Sequence, residues 1–258
     1  MLADLPQYKY IYYGDNARSP YGNRSFETVT QYTQQCVETL LSKGCNIIIL
    51  ACNTASAKAL RTIQQNFLPT IEPYKRVLGV IRPTTEIVNK YTKSGHVGIL
   101  GTTGTINSLS YPIEISKFFP DIKVYQQACP LWVPLIENNE HTGEGADYFI
   151  KKYLNELLKQ SDKIDTIILG CTHYPLIIDS IKANLPENIQ VLSQSEIVSH
   201  SFQDYLVRHP DKEELCLKEP GIDFYTSDDP ATFDKMAKIF FGHTVVSKHL
   251  DSGSNSFN

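Results

Sequence analysis

The stretch NIIILACNT, residues 46–54, and the stretch DTIILGCTH, residues 165–173, decide how this sequence is read. Each is an Ile/Leu run that ends on a small residue and then a cysteine, Cys52 or Cys171, followed at once by short polar residues. A continuous apolar run of this kind is the pattern of a strand covered on both faces, as in a parallel sheet. The cysteine then falls at the C-terminal end of the strand, where open α/β sheets bind ligands beside the free amides that begin the next helix. A lone cysteine after a buried strand ordinarily packs as a small core hydrophobe. Here there are two, a modest domain's length apart, each followed by residues suited to a solvent-facing turn, Asn53-Thr54 and Thr172-His173. That duplication predicts two similar lobes that each present one thiol to a shared cleft.

Working outward, further strand patterns occur at 8–13, 76–81, 96–101, 122–128, 189–193 and 222–227, beside those at 45–51 and 165–170. Helical stretches separate them. One, over 25–44, opens with Ser25 and Glu27 and closes on Gly44 as its C-terminal stop. Strands alternating with helices predict an α/β fold of mainly parallel sheets flanked by helices, two lobes with the active site in the cleft. The tail DSGSNSFN, 251–258, has no core-forming pattern and is expected to fray.

The composition excludes several classes. Apolar residues make up 41% and charged residues 20%, as in ordinary globular proteins. A net charge of -4 and the lack of any Lys/Arg block argue against nucleic acid as a partner, because phosphate contacts supply most of that affinity. The N-terminal residues show no basic segment followed by an apolar core, and no apolar run approaches a membrane span, so a cytoplasmic location is expected. Six scattered cysteines, at 36, 45, 52, 129, 171 and 216, without a secretion signal predict reduced thiols rather than a disulfide framework.

Paired thiols facing one pocket admit several chemistries. Zinc wants four closely spaced ligands, and only Cys171 with His173 offers a local pair. A disulfide switch needs the thiols nearly in contact. Nucleophilic hydrolysis needs one thiol and one histidine, which leaves Cys52 unexplained. Two acid/base groups on opposite faces of one carbon use both cysteines, one removing a proton while the other supplies one. No lysine lies beside a recognisable phosphate-binding loop, so nothing calls for pyridoxal phosphate, and no cofactor is expected.

At these residues the chain resembles the glutamate racemases of the cofactor-independent aspartate/glutamate racemase superfamily. Beyond ACNTASA and GCTHYPL, the matching segments are YYGDNARSPYG (12–22), GVIRPT (79–84), GILGTTGTINSLSY (98–111) and CPLWVPLIEN (129–138). The resemblance implies that Cys52 and Cys171 are the catalytic thiols and that His173 and Glu137 assist on the Cys171 side. It places substrate contacts at Tyr21, Gly22, Asn53, Thr54 and Thr172. Thr102 and Thr105, in the turn after strand 96–101, are placed either to touch the ligand or to cap a helix. In the same way His173 is placed to cap the helix near Pro175, and Glu137 reads equally as a solvated loop acid. Arg18 either fixes its loop or attracts carboxylates, and Cys36 and Cys45 have no partner motif.

The resemblance also marks a departure. Members of the family begin with a strand that ends in a Val-Phe-Asp-Ser-Gly type of turn, whereas MLADLPQYKYIYYGD matches only from the end of the following helix. About twenty residues by ordinary element lengths have no counterpart. Among them are an Asp that supports the thiol equivalent to Cys52 and a Ser that contacts substrate. The expectation is therefore of an internal start or a truncated product of an ordinary family member, with a lopsided site.

Taken together, the lobes are expected at 1–80 plus 193–258 and at 81–192. The function implied is interconversion of L- and D-glutamate, supplying D-glutamate for peptidoglycan. The rivals are racemisation of aspartate or a related amino acid, and a non-catalytic glutamate-binding or protein-binding role. The expected partner is the small-molecule substrate, and the family tends to form homodimers.

Overall fold

The computed structural model describes residues 1–71 and 73–252, and among these described residues there are nine strands, every one of them paired in parallel. Three of them, β1 (Lys9–Gly14), β8 (Gly221–Thr226) and β9 (Ser247–His249), form one sheet in the order β1-β8-β9. A two-stranded unit joins β2 (Ile47–Leu50) to β3 (Arg76–Gly79). The largest sheet comprises β4 (His96–Gly101), β5 (Lys123–Ala128), β6 (Thr166–Gly170) and β7 (Gln190–Leu192), in the order β5-β4-β6-β7. Among the described residues β1 and β2 share no ladder, so the first lobe carries two separate strand sets. The architecture is the expected two-lobed α/β fold with parallel sheets between helices.

The four-stranded sheet shows why its sequences read as continuous apolar runs. Along β6, Ile167 and Leu169 point to a core with Trp132, Tyr153, Leu154, Leu157 and Tyr174, while Ile168 points to the opposite core with Val97, Ile99, Tyr111 and Ile115. Alternate side chains serve opposite faces, and both faces are covered. In the first lobe, Val37 and Leu41 of helix α1 (Phe26–Ser42) pack with Ile48, Leu50, Ile63 and Val77. That helix begins as expected: the Ser25 hydroxyl accepts from the Thr28 amide, and Gly44 follows its end at φ +84°, the left-handed region that glycine enters without steric cost.

Observed and expected strands differ mainly at their ends. The strand expected at 45–51 is observed as Ile47–Leu50, although the Asn46 carbonyl still accepts from the Arg76 amide at 2.9 Å; the Asn46 side chain donates to the Leu215 carbonyl at 2.8 Å and accepts from Lys75 at 2.8 Å. Strand β9 was not anticipated, since Ser-Lys-His carries no apolar signal; its position is set by the Ser247 amide donating to Asp234 at 2.9 Å. Of the tail expected to fray, residues 253–258 lie outside the described residues.

Register then positions the cleft. Gly101 of β4 pairs with Gly170 of β6, so the turns that begin at Thr102 and Cys171 leave the sheet at one level. The segments at Val80–Thr84 and Gln194 are tied together: the Gln194 amide donates to the Val80 carbonyl at 3.1 Å and to the Thr84 hydroxyl at 3.0 Å.

Candidate active site

Cys52 and Cys171 occupy equivalent places. Cys52 follows β2 in extended conformation and is the first residue before helix α2 (Asn53–Lys58); Cys171 follows β6 directly. Burial pushes the Cys52 thiol pKa up, and the backbone N–H groups of Ala55 and Thr54, with the Thr54 hydroxyl, pull it back. Burial likewise pushes Cys171 up, to about 12, against the N–H groups of His173 and Tyr174. Each sulfur therefore sits in a nest of the amides two and three residues further along, which would stabilise a thiolate that desolvation otherwise disfavours. The charge of Cys52 is a lesser influence that also raises Cys171.

The Cys171 side carries two further groups. His173 Nδ1 lies 3.8 Å from the Cys171 sulfur, and its Nε2 lies 3.2 Å from the Glu137 carboxylate. The Ser19 hydroxyl donates to the same carboxylate at 3.4 Å. His173 precedes the short turn Tyr174–Ile177 without capping it through its side chain, and its ring meets Phe240 edge-on at 5.5 Å. Around Cys52 the polar company consists of hydroxyls and amides. The Tyr12 phenol, 45% exposed, is raised by partial desolvation and then by the charge of the nearby Cys52.

Between the thiol turns the hydroxyls of Thr54, Thr102 and Thr105 form a knot, at 2.8 Å from Thr54 to Thr102, 3.3 Å from Thr54 to Thr105 and 3.1 Å from Thr102 to Thr105. Thr102 also caps helix Thr103–Asn107 by accepting from the Thr105 amide, as one of the two readings of these threonines expects. Asn53 is buried, with its Oδ1 accepting from Tyr111 at 2.8 Å and its Nδ2 without a partner. Thr172 is exposed beside Cys171.

The loop carrying Tyr21 and Gly22 reaches this knot by its backbone: the Gly22 carbonyl accepts from the Gly104 amide at 2.7 Å. The Tyr21 side chain is engaged elsewhere, its hydroxyl donating to Asp15. Arg18, whose role the sequence left open, is an anchor for this loop. Its guanidinium donates to both Asp15 oxygens at 2.9 and 2.7 Å and to Gln35 at 2.5 Å, and it lies over the Tyr32 ring at 4.3 Å. Cys36 packs into the same cluster, its thiol pushed up to about 12 by burial and the nearby Asp15 carboxylate.

The structure thus gathers Cys52, Asn53, Thr54, Thr102 and Thr105 at one set of turns, and Cys171, His173 and Glu137 at the facing one. Tyr111, Tyr12, Ser19 and the buried Lys58, whose ammonium donates to the Arg24 carbonyl at 2.6 Å, were not singled out from sequence. Tyr111 lies inside a quoted motif, but a tyrosine at a helical core position gives no sign that its hydroxyl matters.

Comparison with known proteins gives the family. The sequence model of the Asp/Glu/Hydantoin racemase family matches residues 2–198. A glutamate racemase from Persephonella marina is 36% identical over 251 residues, covering 93% of this chain and 87% of its own. One from Streptococcus gordonii is also 36% identical, over 256 residues, covering 97% of this chain and 92% of its own. Among solved structures, a Bacillus anthracis glutamate racemase superposes with a TM-score of 0.87 at 31% identity, covering 97% of this chain and 90% of that one. The Francisella tularensis glutamate racemase, solved in complex with D-glutamate, gives 0.85 at 31% identity, covering 98% and 92%. The chain belongs to the Asp/Glu/hydantoin racemase family, and within it to the glutamate racemases.

Proposed function

We propose that the chain interconverts L- and D-glutamate by passing the α-proton between Cys52 and Cys171. The observation that carries this reading is the matched pair of thiols, each at a strand end and each held by the amides two and three residues ahead. In one direction a thiolate takes the α-proton, the electron pair delocalises into the α-carboxylate, and the opposite thiol delivers its proton to the other face. The thiol and thiolate have then exchanged roles, and the reverse turnover restores them. An α-proton is so weakly acidic that the base must be desolvated and the developing charge must meet fixed donors. Thr54, Thr102, Thr105 and the backbone at Tyr21-Gly22 are suited to hold the carboxylates and ammonium, with Asn53 and Thr172 flanking the sulfurs. Glu137 and His173 form a proton relay on the Cys171 side.

The lobes on this reading are 1–80 with 193–258, and 81–192. No ladder crosses those bounds among the described residues, which supports the division. The D-glutamate formed would serve peptidoglycan synthesis in the cytoplasm; among the described residues no helix is long and apolar enough to cross a membrane. The test is L-glutamate in deuterated buffer, followed by circular dichroism and proton NMR. Loss of optical activity with deuterium at the α-carbon is expected. Exchange on aspartate alone would redirect the substrate assignment, and tight glutamate binding without exchange would remove the catalytic one.

A further inference from the structure

Tyr111 lies between the two thiol turns. It is fully buried, and its hydroxyl donates to Oδ1 of Asn53, the residue after Cys52, at 2.8 Å. The same phenol stands against Gly170, the residue before Cys171: a Cβ on Gly170 would lie 3.1 Å from the ring edge and 3.4 Å from the hydroxyl. One side chain therefore touches both cysteine turns.

The consequence falls on Asn53. An amide has an accepting and a donating end that interchange by a flip, and only its partners decide which way it stands. Tyr111 occupies the accepting end, and Nδ2 is left as a buried donor with no protein partner. A buried donor without a partner costs free energy that a native structure rarely spends without a use.

We infer that Tyr111 is a positioning residue that holds the Asn53 amide with Nδ2 toward the substrate α-carboxylate, where negative charge accumulates as the α-proton leaves. This rests on the racemase reading and adds to it a group that touches neither substrate nor thiol. A donor already oriented toward developing charge acts chiefly in the transition state. Without the tyrosine hydroxyl, Oδ1 loses its partner and the amide is free to turn its oxygen toward the carboxylate.

The test is a double-mutant cycle with Tyr111→Phe and Asn53→Ala, read as kcat and KM in both directions. Tyr111→Phe should lower kcat by about 10- to 100-fold while KM moves less than about threefold. In the Asn53→Ala background it should cost almost nothing further, because its effect runs through the missing amide. Full activity in Tyr111→Phe, or single effects that multiply in the double variant, would overturn the inference. An isosteric pair at position 111 keeps the test independent of folding: 4-aminophenylalanine, which retains a donor, should preserve kcat within a few-fold, and 4-methylphenylalanine should not. Equal activities for that pair would also overturn it. A wild-type chain that neither racemises nor exchanges the α-proton would defeat the racemase reading itself, which distinguishes that failure from an active enzyme whose cycle is additive.

Discussion

His173 Nε2 stands 3.2 Å from the Glu137 carboxylate while the other nitrogen of the same ring is 3.8 Å from the Cys171 sulfur, so a carboxylate, an imidazole and a thiol lie in line on one side of the cleft. Among the described residues no such line approaches Cys52, whose thiolate is disfavoured by burial and favoured by the Ala55 and Thr54 amides and the Thr54 hydroxyl. The two halves match in backbone and differ in side chains. An orienting carboxylate holds an imidazole in one tautomer and steadies it when protonated.

Glu137→Gln should therefore slow turnover by roughly 10- to 100-fold, the ordinary scale of a lost acid/base partner. The effect has a constrained form. The enantiomers have equal free energies, so kcat/KM must stay equal in the two directions whatever is mutated. The lopsided site can appear only in kcat and KM taken separately, and in the deuterium isotope effects of the two directions. Full progress curves from L- and from D-glutamate, with α-deuterated substrates, supply the measurement. Identical kcat values and isotope effects in both directions would mean that Glu137 serves the fold rather than one thiol.

The pH dependence follows from the thiols. Burial raises both, Cys171 to about 12, which disfavours the thiolate needed as base until pH rises. A group whose pKa lies above the assay pH gains about tenfold in its base form per unit of pH. On this account kcat/KM should climb with a slope near one from about pH 6.5 to 8.5. A flat profile over that range would indicate a thiolate already formed in the free enzyme.

Much of this was legible because the relevant signals are local. The buried runs IIIL and TIILG announce parallel strands by themselves, and in both the cysteine stands just beyond the strand's end, as their repeated pattern predicts. What escaped depends on pairs distant along the chain. Tyr111 and Asn53 are 58 positions apart, and only the packing of one lobe on the other brings the phenol to the amide. Arg18 could not be assigned from DNARSPYG, because Gln35 and Tyr32 on α1, which hold it, give no local sign of doing so. Strand β9 was missed for a similar reason: three polar residues join a sheet whose other members are over twenty positions away in the chain.

The contact between the loop at Gly22 and the helix at Gly104 leaves no room for a methyl group. A Cβ on Gly104 would lie 2.8 Å from the Gly22 carbonyl oxygen and 3.0 Å from the Lys58 ammonium, whose own bond to the Arg24 carbonyl secures the far side of the loop. Gly104→Ala must push the Gly22 loop outward or lose the 2.7 Å bond between the two backbones. We expect a loss of about 1–3 kcal/mol in stability, the range for overpacked sites. Since this loop is assigned to the substrate, KM should rise as well. Urea unfolding and steady-state kinetics on the one variant test both, and an unchanged KM would detach the loop from the binding site.

A last prediction concerns the base of the large sheet. Asp165, just before β6, accepts from the Thr92 hydroxyl at 2.6 Å, from the Lys93 and Ser94 amides at 2.7 Å each, and from the Thr166 hydroxyl at 3.0 Å. Burial alone would raise this carboxyl, but the four donors outweigh it and bring the pKa down to about 2. A carboxyl depressed in the folded state stabilises the protein fully above its unfolded pKa, near 3.9, and progressively less as pH falls toward 2. Asp165→Asn retains one acceptor oxygen but presents an amide where backbone N–H groups now donate. With allowance for solvent around this partly buried group, the cost at pH 7 should be about 1–2 kcal/mol. Urea midpoints of the two proteins should therefore lie well apart at pH 7 and draw together below pH 4. A gap that stays constant through that range would show that the packing of the turn, rather than the charge on Asp165, holds Thr92–Gly95 against the sheet.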